Sequence, residues 1–109
     1  MKMLHRSTFA LLMLSAGIAQ AAPAEFNLSI RNHRYEPAEL TVPAGQKIKL
    51  MVHNLDATAE EFESYQLNRE KVVPGGQSVP VFIGPLDAGV YPFFGDFHQD
   101  TAQGKLIAK

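Results

Sequence analysis

The feature that most constrains the fold of this chain is an alternation of apolar and polar side chains with a period of two residues. Such alternation over short segments is typical of β-strands that bury one face, because successive side chains of a strand point to opposite sides. Turn-forming sequences separate the segments, namely VPAG at 42–45, VPGG at 73–76 and GPLDAG at 84–89. No window has the period of an amphipathic helix. The pattern therefore predicts an all-β fold, a Greek-key antiparallel β-sandwich.

The same alternation predicts which side chains form the core. The apolar residues of each alternating segment should lie between the two sheets of the sandwich. No internal repeat or linker interrupts the pattern, so a single domain is expected. The residues predicted to be buried are Phe26, Leu28, Ile30, Leu40, Val42, Ile48, Leu50, Val52, Phe62, Val81, Ile83, Tyr91, Phe93 and Leu106.

The first 21 residues have the composition of a secretory signal peptide. Lys2 and Arg6 give a positive start, an apolar run follows at 9–19, and AQA at 19–21 offers the small residues that a signal peptidase reads. The apolar run is short for a membrane-spanning helix, so cleavage is favoured over a retained anchor. We expect a signal peptide at 1–21, a folded domain at 22–109, location in the periplasm, and no direct membrane insertion after cleavage.

The charge of residues 22–109 narrows the class of partner. The chain has 10 basic and 11 acidic side chains, and removal of Lys2 and Arg6 leaves 8 basic ones, for a net charge of 8 − 11 = −3. A negative domain argues against nucleic acid or an anionic membrane as the partner. The chain contains no cysteine, so disulfides, on which small exported domains often rely, are excluded.

Two long segments carry a resemblance to a known family. YEPAELTVPAGQKIKLMVHNLD (35–56) resembles the first half of a cupredoxin, and GVYPFFGDFHQDTAQGKLIA (89–108) resembles the metal-loop half. AEEFES (59–64) and REKVVPGG (69–76) are similar to EfeO-type cupredoxin-like proteins, which accompany bacterial ferrous-iron permeases. The resemblance implies a cupredoxin-like sandwich with a metal site. It also implies a partner in iron uptake, either a membrane iron permease or another periplasmic component.

The positions of the family's copper ligands differ in this chain. A blue-copper site needs two imidazoles and a thiolate, with a weak axial methionine. By the resemblance, Glu61 stands at the first histidine, Gly95 replaces the cysteine, and His98 keeps the second histidine. The axial methionine would fall near Thr101–Ala102, where there is no sulfur. Type 1 copper chemistry is therefore excluded, and Gly95 is expected to leave an open position on the metal.

The remaining donors predict a hard metal site. The candidate ligands are His98, Glu61, Glu63 and Asp96, a set that suits Cu(II), Fe(II), Mn(II) or Zn(II) rather than Cu(I). We expect a copper and/or iron ion there, and carboxylates also favour Fe(III) over Fe(II). Each carboxylate also has a plainer interpretation as a solvated loop or turn residue, which is favoured for Glu60, Asp96 and Asp100. His33 and His53 are expected to face solvent.

Three hypotheses for function follow. The first is a periplasmic metal-binding protein that oxidises ferrous iron or delivers iron to a membrane permease. The second is a non-catalytic copper or iron carrier that uses the same ligands without turnover. The third is a metal-free interaction module that keeps the sandwich as a scaffold. The fold by itself does not decide among them, and the sequence leaves open whether the protein is an enzyme.

Overall fold

A computed structural model of the protein describes residues 22–109 and shows two β-sheets. The predicted signal peptide at 1–21 lies outside the described residues. The strands are β1 (Ala24–Arg31), β2 (Arg34–Glu36), β3 (Glu39–Val42), β4 (Ile48–Asn54), β5 (Glu60–Ser64), β6 (Arg69–Val73), β7 (Ser78–Ile83), β8 (Gly89–Gly95) and β9 (Gln103–Ala108). A single 3₁₀ turn, Asp96–His98, is the one helical element among residues 22–109. The predicted all-β sandwich is confirmed.

The order of strands in the two sheets is β2-β1-β4-β7 and β3-β9-β8-β5-β6. Most neighbours are antiparallel, as expected, but β1 pairs with β4 and β3 pairs with β9 in parallel. The sheets are therefore mixed. After β2 the chain crosses to the second sheet through β3, and β4 then returns beside β1 in the same direction. Alternation of side chains is the same in parallel and antiparallel strands, so the sequence pattern does not distinguish the two pairings.

The core lies between the sheets and contains most of the residues that alternation predicts. Leu28, Ile30, Leu50, Val52 and Phe62 are fully buried. Phe26, Leu40 and Tyr91 are only partly buried and pack against the edge of the core. Additional buried residues are Tyr35, Leu67, Val73, Ala102 and Ala108. At roughly 1.5–3 kcal/mol for each large apolar side chain buried, this core is the main stabilising term.

The sheet order brings three separate parts of the chain together at one end of the sandwich. Within the second sheet β5 pairs with β8, with Phe62 opposite Gly95, so the start of β5 lies beside the loop that follows β8. The 3₁₀ turn in that loop packs against β5. The turn between β1 and β2 reaches the same end from the first sheet, as the contact of His33 with His98 shows.

Within residues 22–109 the structure contains no helix with the length and apolar character needed to cross a membrane.

Candidate metal centre

Glu60 is the most unusual residue at this end of the sandwich because its charged side chain is buried. It begins β5, and the alternation of that strand turns Glu60, Phe62 and Ser64 inward. Only 1% of Glu60 is exposed. Its Oε1 accepts hydrogen bonds from the backbone N–H of Phe97, at 2.9 Å, and of Glu61, at 3.0 Å. A carboxylate is found in such a position only when it is paired or binds a metal.

The partner of the buried carboxylate is His98. Its Nδ1 lies 2.5 Å from Oε2 of Glu60, and 27% of its side chain is exposed. His98 ends the 3₁₀ turn, and its carbonyl oxygen accepts hydrogen bonds from the N–H groups of Thr101, at 3.2 Å, and Ala102, at 2.8 Å. These backbone bonds fix the loop and aim the imidazole at Glu60. His98 is therefore partly exposed to solvent while its Nδ1 contacts the buried Glu60.

His33 completes the group from the other sheet. Its ring stacks on that of His98 with centroids 3.6 Å apart and planes 12° from parallel. His33 lies in the two-residue turn between β1 and β2, where Asn32 and His33 both have left-handed backbone conformations, with φ of 51° and 56°. The side chain of His33 is 42% exposed, so it keeps contact with solvent as expected, but its ring also packs on His98, which the sequence did not predict.

Asp56, just beyond β4, holds the turn that carries His33. Its carboxylate accepts the N–H of Asn32 at 2.8 Å and the N–H of His33 at 2.9 Å. Burial raises the pKa of Asp56, but these two hydrogen bonds, together with the nearby imidazoles, outweigh it and lower the net pKa below its ordinary value. Asp56 is accordingly a carboxylate at neutral pH.

Gly95, at the position where the resemblance places a cysteine, is packed against Glu60. A Cβ atom added to Gly95 would lie 2.6 Å from Cδ of Glu60, 2.8 Å from its Oε1 and 2.7 Å from Cβ of Ala102. The carboxylate of Glu60 therefore fills the space that a side chain at residue 95 would need. Gly95 does not leave the open position that the sequence led us to expect.

The chemistry of this donor set fits a divalent transition metal. His33, Glu60 and His98 each offer one ligand atom, and the three atoms all lie within 4.8 Å of one another. Metal–ligand distances of about 2.0–2.2 Å are compatible with that spacing. A metal lies in the plane of each imidazole that binds it, so the stacked rings of His33 and His98 would have to rotate apart for both to bind one ion. Two imidazoles and a carboxylate suit Cu(II), Zn(II) and Fe(II), and they do not suit a type 1 copper site, which requires a thiolate.

The four ligands expected from the sequence do not form one group in the structure. His98 contacts Glu60, whereas Glu61 and Glu63 point to the opposite side of β5. Asp96 accepts a hydrogen bond from the side-chain amide of Gln99 at 2.7 Å. Metal binding by Glu61, Glu63 and Asp96 stays a prediction.

Glu61 and Glu63 form a second, purely acidic group with Glu70 of β6. Their ligand atoms also lie within 4.8 Å of one another. The hydrogen bond with Glu70 is the largest of several effects that raise the pKa of Glu61 to about 7, and desolvation and the charge of Glu70 add to it. The group contains no imidazole. The three carboxylates are close because β5 pairs with β6, which places Glu63 directly opposite Glu70 and Glu61 opposite Val72, two residues further along β6.

One sequence signal would have selected Glu60. Phe62 was expected to face the core, and residues two apart in a strand share a side, so Glu60 had to share the side of Phe62. His33 has no comparable local signal, because it reaches His98 across the sandwich. His53 lies elsewhere, on the outer face of the first sheet, with Nδ1 2.6 Å from Ser78 Oγ and Nε2 2.9 Å from Asn27 Oδ1.

Fold and site together define a β-sandwich with a histidine–carboxylate group at the loop between its last two strands. The chain belongs to the cupredoxin-like domain family, whose sequence model matches residues 5–108. It is 48% identical over 83 residues to an uncharacterised protein of Rickettsia prowazekii, RP394, an alignment that covers 76% of this chain and 66% of that protein. The chain thus spans just under two thirds of this relative's length.

Two solved structures have the same fold. Auracyanin A, a blue copper protein of Chloroflexus aurantiacus, matches with a TM-score of 0.69 and 19% identity, covering 81% of this chain and 100% of auracyanin. Amicyanin of Paracoccus versutus matches with a TM-score of 0.61 and 20% identity, covering 82% of this chain and 83% of amicyanin. At these identities the similarity establishes the fold alone.

Proposed function

We propose that this protein is a periplasmic metal-binding protein of bacterial iron uptake, with a non-blue site formed by His33, Glu60 and His98. Its metal is Cu(II) or iron, and its role is to support oxidation of ferrous iron or its delivery to a membrane permease. The site proposed here keeps His98 from the sequence-based set and replaces Glu61 by Glu60, since Glu60 is the glutamate that contacts His98.

The observation that carries the proposal is the buried carboxylate of Glu60 facing an imidazole. Burying a carboxylate has a large desolvation penalty, which two backbone N–H groups and His98 offset in part. A divalent cation shared by Glu60, His98 and His33 would offset it further. The side chains of His33 and His98 are 42% and 27% exposed, which gives an ion a route to the site from solvent.

The choice of metal follows from the donors. Without a thiolate the site has no soft ligand to retain Cu(I), while imidazole and carboxylate suit Cu(II) and iron. Support for iron comes from the resemblance of residues 59–64 and 69–76 to proteins that accompany ferrous-iron permeases. Oxidation of one Fe(II) releases one electron, so bound Cu(II), dioxygen or a partner protein has to accept it. Bound Cu(II) would supply a one-electron acceptor.

The proposal also includes a location, the periplasm, and a partner in iron uptake. The signal-like composition of residues 1–21 supports export, and the negative charge of residues 22–109 suits a protein that handles cations rather than nucleic acid. The partner is a membrane iron permease or another periplasmic iron-uptake component.

Calorimetric titration of the purified protein with Cu(II), and with Mn(II) as an air-stable substitute for Fe(II), tests metal binding. His98→Ala and Glu60→Gln should lower the affinity more than the roughly 10–100-fold loss that follows removal of an outer-sphere partner. Glu61→Gln is the matched control, because it removes a carboxylate from the adjacent residue on the other side of β5. Equal affinity losses in Glu60→Gln and Glu61→Gln would overturn the proposed site.

An oxidation assay separates an oxidase from a carrier. Fe(II) is mixed with oxygenated buffer and either Cu(II)-loaded protein, Cu(II)-loaded Glu60→Gln or no protein, and the loss of Fe(II) is followed with a chromogenic chelator. Faster loss of Fe(II) with the Cu(II)-loaded parent protein than with either of the other two samples supports ferrous-iron oxidation. Metal binding without faster loss supports the non-catalytic carrier.

A metal-free interaction module remains the alternative, and one observation favours it. Both oxygens of Glu60 already have hydrogen-bond partners, so the pair with His98 is satisfied without an ion. The calorimetric titration decides between the two, because a metal-free module shows no saturable heat with either metal.

A further inference from the structure

Asp56 makes three contacts with the turn that carries His33. Beyond the two backbone N–H groups that it accepts, its Oδ2 lies 3.5 Å from Nδ1 of the His33 ring. Hydrogen bonds at both backbone polar groups of Asp56 hold it in place. Its N–H donates to Oδ1 of Asn54 at 3.0 Å, and its carbonyl oxygen accepts the N–H of Gly76 at 2.9 Å.

The contacts of Asp56 stabilise an unfavourable backbone conformation of the turn. Left-handed backbone at two successive residues is normal for a tight hairpin, but the second position favours glycine over histidine. Here His33 occupies that position with φ of 56°. Asp56 stabilises this conformation because both of its oxygens receive N–H groups from the two turn residues.

The position of Asp56 also distinguishes the two ring nitrogens of His33. Nδ1 lies 3.5 Å from the carboxylate, which is longer than an ordinary hydrogen bond, but the negative charge favours the tautomer with the proton on Nδ1 and leaves Nε2 with its lone pair. Histidines that bind metals usually donate their other N–H to a carboxylate, and this contact fixes the ring and raises the basicity of the binding nitrogen.

We propose that Asp56 is a positioning residue of the metal site, which holds the His33 turn against His98 and presents Nε2 of His33 to the metal. This inference rests on the function proposed above. Asp56 acts through His33 and does not itself bind the ion. His98, by contrast, already directs Nδ1 at Glu60, so the two imidazoles would bind through different nitrogens.

Nitrogen NMR of the metal-free protein tests the positioning without any metal. Imidazole ¹⁵N shifts, measured at a pH where the rings are neutral, should show the Nδ1–H tautomer for His33 in the parent protein. Asp56→Ala should shift His33 towards the Nε2–H tautomer that predominates in free imidazole side chains. Glu36→Ala is the matched control, because Glu36 is an exposed carboxylate of the same hairpin that pairs with Arg31 at 3.6 Å.

Cu(II) binding gives the second measurement. Asp56→Ala should weaken Cu(II) binding about 10–100-fold, and the nitrogen hyperfine pattern in electron paramagnetic resonance should change from two coordinated imidazoles to one. Glu36→Ala should change neither. If Asp56→Ala does not fold, Asp56→Asn takes its place, since its amide oxygen can accept one turn N–H while the second contact is lost.

The two proposals fail in different ways. If the parent protein binds neither Cu(II) nor Mn(II), the proposed function fails, and the NMR measurement alone decides whether Asp56 positions His33. If the parent binds Cu(II) but Asp56→Ala keeps the His33 tautomer, the affinity and two coordinated imidazoles, the positioning role of Asp56 is overturned while the metal site stands.

Discussion

Replacement of Gly95 by alanine tests how tightly Gly95 packs against Glu60. The new Cβ would lie 2.6 Å from Cδ of Glu60 and 2.7 Å from Cβ of Ala102, far inside the roughly 3.5–4.0 Å at which carbon atoms pack best. The backbone of Gly95 is extended, with φ of −96°, so alanine adds no strain of its own. The effect of the substitution is therefore steric.

The expected magnitude follows from the need to move Glu60. Overpacking of a core costs about 1–3 kcal/mol, and displacement of the carboxylate also weakens its charge-assisted bonds to Phe97 and His98. We expect Gly95→Ala to lower the free energy of unfolding by about 1–3 kcal/mol from overpacking, with a further loss from the weakened bonds of Glu60. For a domain of this size, each kcal/mol corresponds to a fall in Tm of roughly 4–8 °C.

Gly89 supplies a matched control on the same strand. A Cβ at Gly89 would meet Cε2 of Tyr91 at 3.8 Å and the carbonyl oxygen of Asp87 at 4.0 Å, which are ordinary contacts. Gly89→Ala should therefore be neutral or stabilise by up to about 1 kcal/mol, through loss of entropy in the unfolded chain. Urea unfolding of both variants, followed by circular dichroism, gives the comparison.

A double-mutant cycle assigns the clash to Glu60. Glu60→Ala removes the carboxylate, so the cost of Gly95→Ala should be smaller in that background, with a coupling energy of about 0.5–3 kcal/mol. Relief should be partial because Cβ of Ala102 remains close. A clash between residue 95 and Glu60 is ruled out if Gly95→Ala is as stable as Gly89→Ala, or if Gly95→Ala and Glu60→Ala are additive to within about 0.5 kcal/mol.

Further predictions concern colour, acid–base behaviour and the other sheet. Cu(II)-loaded protein should lack an intense blue absorption band because the chain has no thiolate, and such a band in the purified protein would contradict the non-blue site. In metal-free protein, carboxyl ¹³C titration should give Glu61 a pKa of about 7, and Glu70→Gln should lower it towards 4.5. The folded state holds the Glu61 proton more tightly than the unfolded chain does. The contribution of Glu61 to the free energy of unfolding is therefore complete below pH 4.5 and is lost as the pH rises through 7. An increase in stability from pH 4.5 to 7 that Glu61→Gln abolishes would contradict this direction. His53→Ala should leave Cu(II) affinity unchanged while it removes the bonds to Ser78 and Asn27, a loss of about 1 kcal/mol in urea unfolding; a large fall in affinity would place the metal on the outer face of the first sheet.

The fold could be predicted from the sequence because its signal is local and repeated. Alternation in segments such as Ile48–Asn54 fixes which side of each strand is buried, and the turns fix where the strands end. The direction of pairing could not be predicted in the same way. Parallel pairing of β1 with β4 depends on where the intervening β3 goes, which alternation does not encode.

The candidate site was predicted in part. His98 was selected by its place in the loop after β8, and in the structure it lies beside a buried carboxylate. The choice of Glu61 over Glu60 came from matching the family's ligand positions, where an offset of one residue moves a side chain to the other face of the strand. The contribution of His33 arises from contact between two sheets, and nothing near residue 33 in the sequence indicates it.

Anomalous diffraction from crystals grown with Cu(II) locates the ion and so tests whether His33, Glu60 and His98 bind it. Data collected on both sides of the copper absorption edge distinguish copper from other scatterers. We expect one peak bounded by the imidazoles of His33 and His98 and the carboxylate of Glu60, at about 2.0–2.2 Å from each ligand atom. A peak among Glu61, Glu63 and Glu70, or no peak at His98 in protein that binds Cu(II) in solution, would contradict it.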